Sequence, residues 1–129
     1  MIVEDNHSFR EIVKNYLQLQ FPSMDIIEVA DGVEALQKID SHPPNLIFMD
    51  IRLPGENGLE LTRKIKTSHP HIIIIIFTAH DSPEYREAAA RYKANYFLSK
   101  NVITTDEIFK LVEIILLEKG FNVDGSVDG

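Results

Sequence analysis

Three carboxylates, a hydroxyl and an ammonium in this chain each follow directly on a short apolar run. Met1-Ile2-Val3 leads into Glu4 and Asp5, and Leu46-Ile47-Phe48-Met49 leads into Asp50. Ile72 to Phe77 leads into Thr78, and Tyr96-Phe97-Leu98-Ser99 leads into Lys100. If these runs are parallel strands of one sheet, their ends gather at one edge, which is where open α/β sheets bind ligands. Glu4, Asp5 and Asp50 would carry three negative charges there, and Lys100 offsets one of them. A Mg²⁺ ion brings the set to neutrality. It takes carboxylate and carbonyl oxygens, keeps several waters and uses phosphate oxygens as further ligands. The chemistry that fits such a group is phosphoryl transfer, in which the cation and Lys100 neutralise charge and Thr78 follows a phosphoryl oxygen by hydrogen bond. Asp50 is the expected nucleophile, since it follows a central strand and precedes an open loop, Arg52 to Asn57, that holds Pro54 and Gly55. Carboxylate attack on phosphorus yields an aspartyl phosphate.

The elements that must position these residues alternate along the chain. Phe9, Ile12, Val13, Tyr16 and Leu17 recur at helical spacing and predict an amphipathic helix over 7–20. Met24 to Val29 reads as a strand. Asp31-Gly32 then opens a short helix with Val33, Leu36 and Ile39, which stops before Pro43-Pro44. Gly58 to about Ser68 is a third helix with Leu59, Leu61 and Ile65 inward. The Ile72 to Phe77 run is β-branched and apolar on both faces, as a central strand between two helix layers must be. Ser82-Pro83 starts a fourth helix, with Ser as N-cap and Pro at the first helical position. A strand at 95–98 and a helix at about 104–119 follow, with Thr104 or Thr105 as cap and Gly120 as stop. Five strands and five helices in alternation imply a parallel sheet with helices on both faces.

The composition bounds the rest. A chain of 129 residues, 44% hydrophobic and 26% charged, suits one globular domain with its own core. It has no cysteine, so disulfides, thiolate nucleophiles and cysteine-based zinc sites are excluded. The net charge of -7 argues against direct nucleic-acid binding by this domain. No run approaches the length of a membrane span, and a cytoplasmic location is expected. Five histidines are scattered without ligand spacing. The first strand is short, which suggests a start inside it. The tail 121–129, with Val-Asp-Gly twice, reads as a C-terminal tail or the start of a linker, since it lacks the length and closing Glu of a calcium loop.

In order and at characteristic spacing, the chain carries Ile-Val-Glu-Asp-Asn at 2–6, Met-Asp-Ile-Arg-Leu-Pro-Gly at 49–55 with Gly58, Phe-Thr-Ala at 77–79, and Phe-Leu-Ser-Lys at 97–100. With these motifs it resembles a response regulator receiver domain of two-component signal transduction over residues 1–120, of the type attached to a helix-turn-helix output domain. The resemblance implies a flavodoxin-like three-layer fold of five βα units with strand order 2-1-3-4-5. It implies that Asp50 accepts a phosphoryl group from a sensor histidine kinase or phosphotransfer protein. It assigns Asp5 as a direct Mg²⁺ ligand and Glu4 as one acting largely through water. Asp50 and the Arg52 carbonyl complete the metal set, and Thr78 and Lys100 contact the phosphoryl group. Thr78 and Phe97 would form the switch, with Phe97 turning inward as Thr78 is drawn toward the phosphoryl oxygens. Partners would read the face built from the fourth helix, fifth strand and fifth helix, which could also form a homodimer.

The chain departs from the family pattern in places. Asn101 follows Lys100 where many receivers have proline, and Lys93 precedes Ala94 where glycine is common. Arg52 and His80 lie two residues beyond Asp50 and Thr78, at positions facing the attacking water. Ile114 and Leu117 fall outside the core-facing arc of the last helix (Ile108, Leu111, Val112, Ile115, Leu116) and point to a dimer or a downstream domain. Two other functions fit less well. An aspartyl phosphatase would need an acid two residues after the nucleophile, where Arg52 stands. A degenerate receiver acting as a constitutive binding module would not need the full acidic set. The expected role is a phosphoacceptor and not a turnover enzyme.

Overall fold

The computed structural model describes residues 1–127; residues 128 and 129, the end of the expected tail, lie outside it. Five parallel strands form one sheet in the order β2-β1-β3-β4-β5. They are β1 (Ile2–Val3), β2 (Glu28–Val29), β3 (Leu46–Met49), β4 (Ile73–Thr78) and β5 (Tyr96–Ser99). The helices between and after them are α1 (His7–Gln20), α2 (Gly32–Ser41), α3 (Gly58–Ser68), α4 (Pro83–Arg91) and α5 (Thr105–Glu118). The flavodoxin-like order expected from the motifs is the observed one.

Alternation of side chains across the pleat divides the core into two apolar layers. Val3, Ile47, Met49, Ile74 and Ile76 pack with Ala35, Ile39, Leu61, Ile65 and Ala89, on the side of α2, α3 and α4. Ile2, Phe48, Ile75 and Phe77 pack with Val13, Leu17, Phe21, Val112 and Ile115, on the side of α1 and α5. β4 therefore contributes to both layers, which is why its sequence is apolar without a break.

Helix boundaries follow from caps. Asn6 and Asn57 accept from the backbone N–H of Phe9 and Leu59 to open α1 and α3. Asp31 does the same for α2 and Thr104 for α5. Beyond α5, Gly120 adopts φ +86, and Gly120 and Phe121 donate to the Leu117 and Leu116 carbonyls, a Schellman closure that a left-handed glycine permits. The tail then folds back, with Phe121 bridging Val127 and Ser23 N–H donating to the Asp124 carbonyl.

Three expectations need correction. The Met24 to Val29 strand shrinks to Glu28–Val29, because its partner β1 offers two residues for pairing. Ile12 and Val33, counted among the apolar residues that define α1 and α2 in the sequence, are 65% and 66% exposed. In each helix the stripe facing the sheet is already filled by neighbours, Val13 and Leu17 in α1 and Ala35 and Ile39 in α2.

Candidate functional site

Strand register brings the reactive residues together. Val3 pairs with Met49, Met49 with Ile76, and Thr78 with Ser99, so Glu4, Asp50 and Lys100 each stand one residue past a paired position. Backbone bonds anchor them: Glu4 N–H donates to the Val29 carbonyl, Asp50 N–H to the Val3 carbonyl, and Lys100 N–H to the Thr78 carbonyl.

Glu4, Asp5 and Asp50 each present a carboxylate oxygen within 4.8 Å of the others. Glu4 and Asp50 are buried, whereas Asp5 is exposed at the mouth. Lys100 bridges the two buried carboxylates, with its Nζ donating to Glu4 Oε1 and lying 3.3 Å from Asp50 Oδ2. The same ammonium sits 4.2 Å from the centroid of the Phe9 ring, a cation–π contact that holds it from below. Asp50 Oδ1 accepts from Ile51 N–H at 2.8 Å, which sets the carboxylate plane and leaves Oδ2 toward Lys100. Burial pushes the Glu4 carboxyl above its ordinary range; the Lys100 and Asn6 hydrogen bonds oppose that rise, and the Asp50 charge adds to it.

Thr78 is fully buried at the end of β4, and its Oγ accepts from His80 N–H at 3.2 Å. Arg52 is exposed in the loop after Asp50. Phe97 is half-buried against the α2–α4 layer, with the Arg86 guanidinium 4.6 Å from its ring centroid. Phe97 thus lies on β5, two strands beyond the β3 end that carries Asp50, with β4 between them. The Lys100–Asn101 peptide is trans.

Two further residues support the site: Gly58 stood among the spaced motif residues without a stated role, and Phe9 only among the apolar positions of α1. Gly58 stands beneath Asp50: a Cβ on it would lie 1.9 Å from the Asp50 carbonyl oxygen, so only glycine lets α3 start so close to the end of β3.

The donor set suits a hard divalent cation. Opposite ligands of an octahedral Mg²⁺ lie about 4.2 Å apart, so oxygens within 4.8 Å need only a small inward shift or an intervening water. A parallel α/β sheet with an acidic, lysine-bridged cradle at its carboxyl edge falls in the class whose ligands bind outside the strand ends.

The chain belongs to the response regulator receiver domain family, whose model matches residues 1–113. It is similar to the oxygen regulatory protein NreC of Staphylococcus carnosus, with 36% identity over 106 residues covering 78% of this chain and 48% of that protein. It is also similar to the transcriptional regulatory protein DegU of Brevibacillus brevis, with 28% identity over 116 residues covering 89% of this chain and 48% of that protein. The chain thus spans about half the length of these relatives. Among solved structures, a CheY-like response regulator receiver domain protein from Methanospirillum hungatei superposes with a TM-score of 0.81 at 27% identity, covering 92% of this chain and 93% of that one. The protein is a receiver domain of a two-component response regulator. Among the described residues no helix is long and apolar enough to cross a membrane.

Proposed function

We propose that this receiver domain accepts a phosphoryl group on Asp50, with Mg²⁺ held by Glu4, Asp5, Asp50 and the Arg52 carbonyl. The observation that carries this reading is the convergence of three carboxylates within 4.8 Å around an ammonium that bridges two of them. When bound, Mg²⁺ would neutralise charge on the phosphoryl oxygens and orient them.

The chain's own residues supply the rest. Asp50 Oδ2 forms the new bond to phosphorus while the bond to the donor nitrogen of a phosphohistidine breaks, and the freed imidazole takes up a proton from water. Oδ1 stays on Ile51 N–H, so the attacking oxygen is fixed in direction. Lys100 turns from its carboxylate partners toward the phosphoryl oxygens, and the Thr78 hydroxyl donates its proton to one of them. A dianionic group in place of a carboxylate adds charge and acceptors at one point, which draws on both strand ends. Thr78 and Phe97 then form the switch, and the face of α4, β5 and α5 passes the change to a partner, a second copy or an output domain. In α5 on that side, Ile114 and Leu117 are about half exposed. A sensor histidine kinase or phosphotransfer protein is the donor, the cytoplasm is the setting, and the domain is a phosphoacceptor and not a turnover enzyme. Arg52, where an aspartyl phosphatase would need its acid, supports that last point.

The test is Mg²⁺-dependent labelling by acetyl phosphate, read by intact-protein mass. One acid-stable, base-labile phosphoryl group is expected, lost in Asp50→Asn and in EDTA. Labelling that survives Asp50→Asn would overturn the assignment.

A further inference from the structure

We infer that Asp81, through Ser99 and Asn101, is a positioning residue that latches together the two loops carrying Thr78 and Lys100. The inference rests on the reading of Asp50 as phosphoacceptor. Ser99 Oγ donates to Asp81 Oδ2 at 2.6 Å and accepts from Asn101 N–H at 3.1 Å. The Asn101 side-chain amide donates to the Ala79 carbonyl at 3.0 Å and reaches Asp81 Oδ2 at 3.3 Å. The residues on either side of Lys100 are therefore bound to residues one and three steps past Thr78.

Ser99 is buried, so the inner end of this network is shielded from competing water, while Asp81 and Asn101 close it at the surface. Apart from this network, the two loops are joined to each other beyond the strand pairing by a backbone bond from Lys100 N–H to the Thr78 carbonyl. Catalytic groups displaced by about 1 Å lose on the order of a hundredfold in rate, so a clamp joining two phosphoryl-contacting residues bears directly on transfer. The proposed metal ligands lie at the ends of β1 and β3, outside the latch. Positioning by Asp81 should therefore separate phosphoryl acceptance from metal binding.

The experiment uses the whole chain and compares Asp81→Ala, Asp81→Asn, Asn101→Ala and the double variant Asp81→Ala/Asn101→Ala. Initial acetyl phosphate labelling rates are measured at saturating Mg²⁺, and Mg²⁺ affinity is measured by calorimetry. Asp81→Ala should label about tenfold more slowly while its Mg²⁺ dissociation constant stays within about twofold. Asp81→Asn keeps an oxygen acceptor for Ser99 and should recover most of the rate. The double variant should be little slower than the slower single variant, because the residues act in one network. Labelling of Asp81→Ala at the unsubstituted rate would overturn the inference. So would a parallel loss of Mg²⁺ affinity and labelling, which marks a general loss of structure. Should the unsubstituted chain bind Mg²⁺ but take no phosphoryl group, the reading of Asp50 fails first and the latch inference falls with it.

Discussion

Replacing Asp50 with Asn should stabilise the metal-free protein, and the structure gives the size of the effect. Asp50 lies within 4.8 Å of carboxylate oxygens on both Glu4 and Asp5. At an effective dielectric near 20, each like-charge pair at that distance costs about 3.5 kcal/mol. Lys100, 3.3 Å from Asp50 Oδ2, returns about 5 kcal/mol on the same scale. Repulsion therefore exceeds attraction by about 2 kcal/mol. Solvent at the exposed Asp5 screens part of this, but relief of the desolvation of a carboxylate only 10% exposed acts in the same direction. Asn keeps an oxygen for Ile51 N–H, so the local geometry survives. We expect Asp50→Asn to be about 2 kcal/mol more stable in EDTA. Added Mg²⁺ should narrow the gap, because a tenfold excess over the dissociation constant stabilises the unsubstituted chain by about 1.4 kcal/mol and the variant far less. Urea denaturation followed by far-ultraviolet circular dichroism is the assay, since the chain has no Trp. A variant no more stable than the unsubstituted chain in EDTA would refute the electrostatic account, as would equal stabilisation of both by Mg²⁺.

Other perturbations test the scaffold around the site. Gly58→Ala must displace the Asp50 carbonyl, which a Cβ would approach to 1.9 Å; a loss of about 3 kcal/mol in urea denaturation is expected, together with weaker Mg²⁺ binding by calorimetry. Lys93, at φ +69, occupies the left-handed region that disfavours side chains, so Lys93→Gly should raise stability by about 1 kcal/mol in the same assay. Glu28 sits between Arg10 and Lys14; burial acts to raise its pKa, but the hydrogen bonds and charges of Lys14 and Arg10 outweigh it and hold the carboxyl below its ordinary value of 4.5. Its stabilising contribution is present above pH 4.5 and lost as pH falls through the lower folded-state value. Accordingly Glu28→Gln should cost about 0.5 kcal/mol at neutral pH, after allowing for solvent screening, and nothing at pH well below 4; matched denaturation curves at the two pH values decide it.

What could be read from the sequence divides along physical lines. β3 and β4 announced themselves because strands buried on both faces must be continuously apolar, and Ile74 to Phe77 feed both layers. The acidic cluster was legible because Glu4, Asp5 and Asp50 each follow such a run, so parallel pairing alone brings them to one edge. Edge pairing was not legible: the apolar stretch from Met24 could have extended β2, but β1 limits it to two residues. Ile12 and Val33 sit on helical arcs wide enough to look inward, and only tertiary packing shows the stripe already full. The contacts that steady the site were hidden for another reason. Phe9 under Lys100, Gly58 under Asp50 and the Asp81–Ser99–Asn101 network depend on where loops and helix starts cross, which no periodicity encodes.

The shortness of β1 raises the question of what holds Glu4 against Asp50, since two paired residues form a weak ladder. Side-chain alternation supplies the answer. Ile2 packs into the α1–α5 layer and Val3 into the α2–α4 layer, as do their register partners Phe48 and Met49. A slip of one residue would exchange these faces and turn Glu4, now held by Lys100 and Asn6 N–H, toward an apolar layer without partners. Burying a carboxylate in that way costs several kcal/mol, far more than the ladder bonds of so short a strand could restore. Register in this strand is thus set by the sorting of apolar side chains between the two layers. The acidic cradle inherits its geometry from core packing, which is why it forms even where the ladder beneath it is only two residues long.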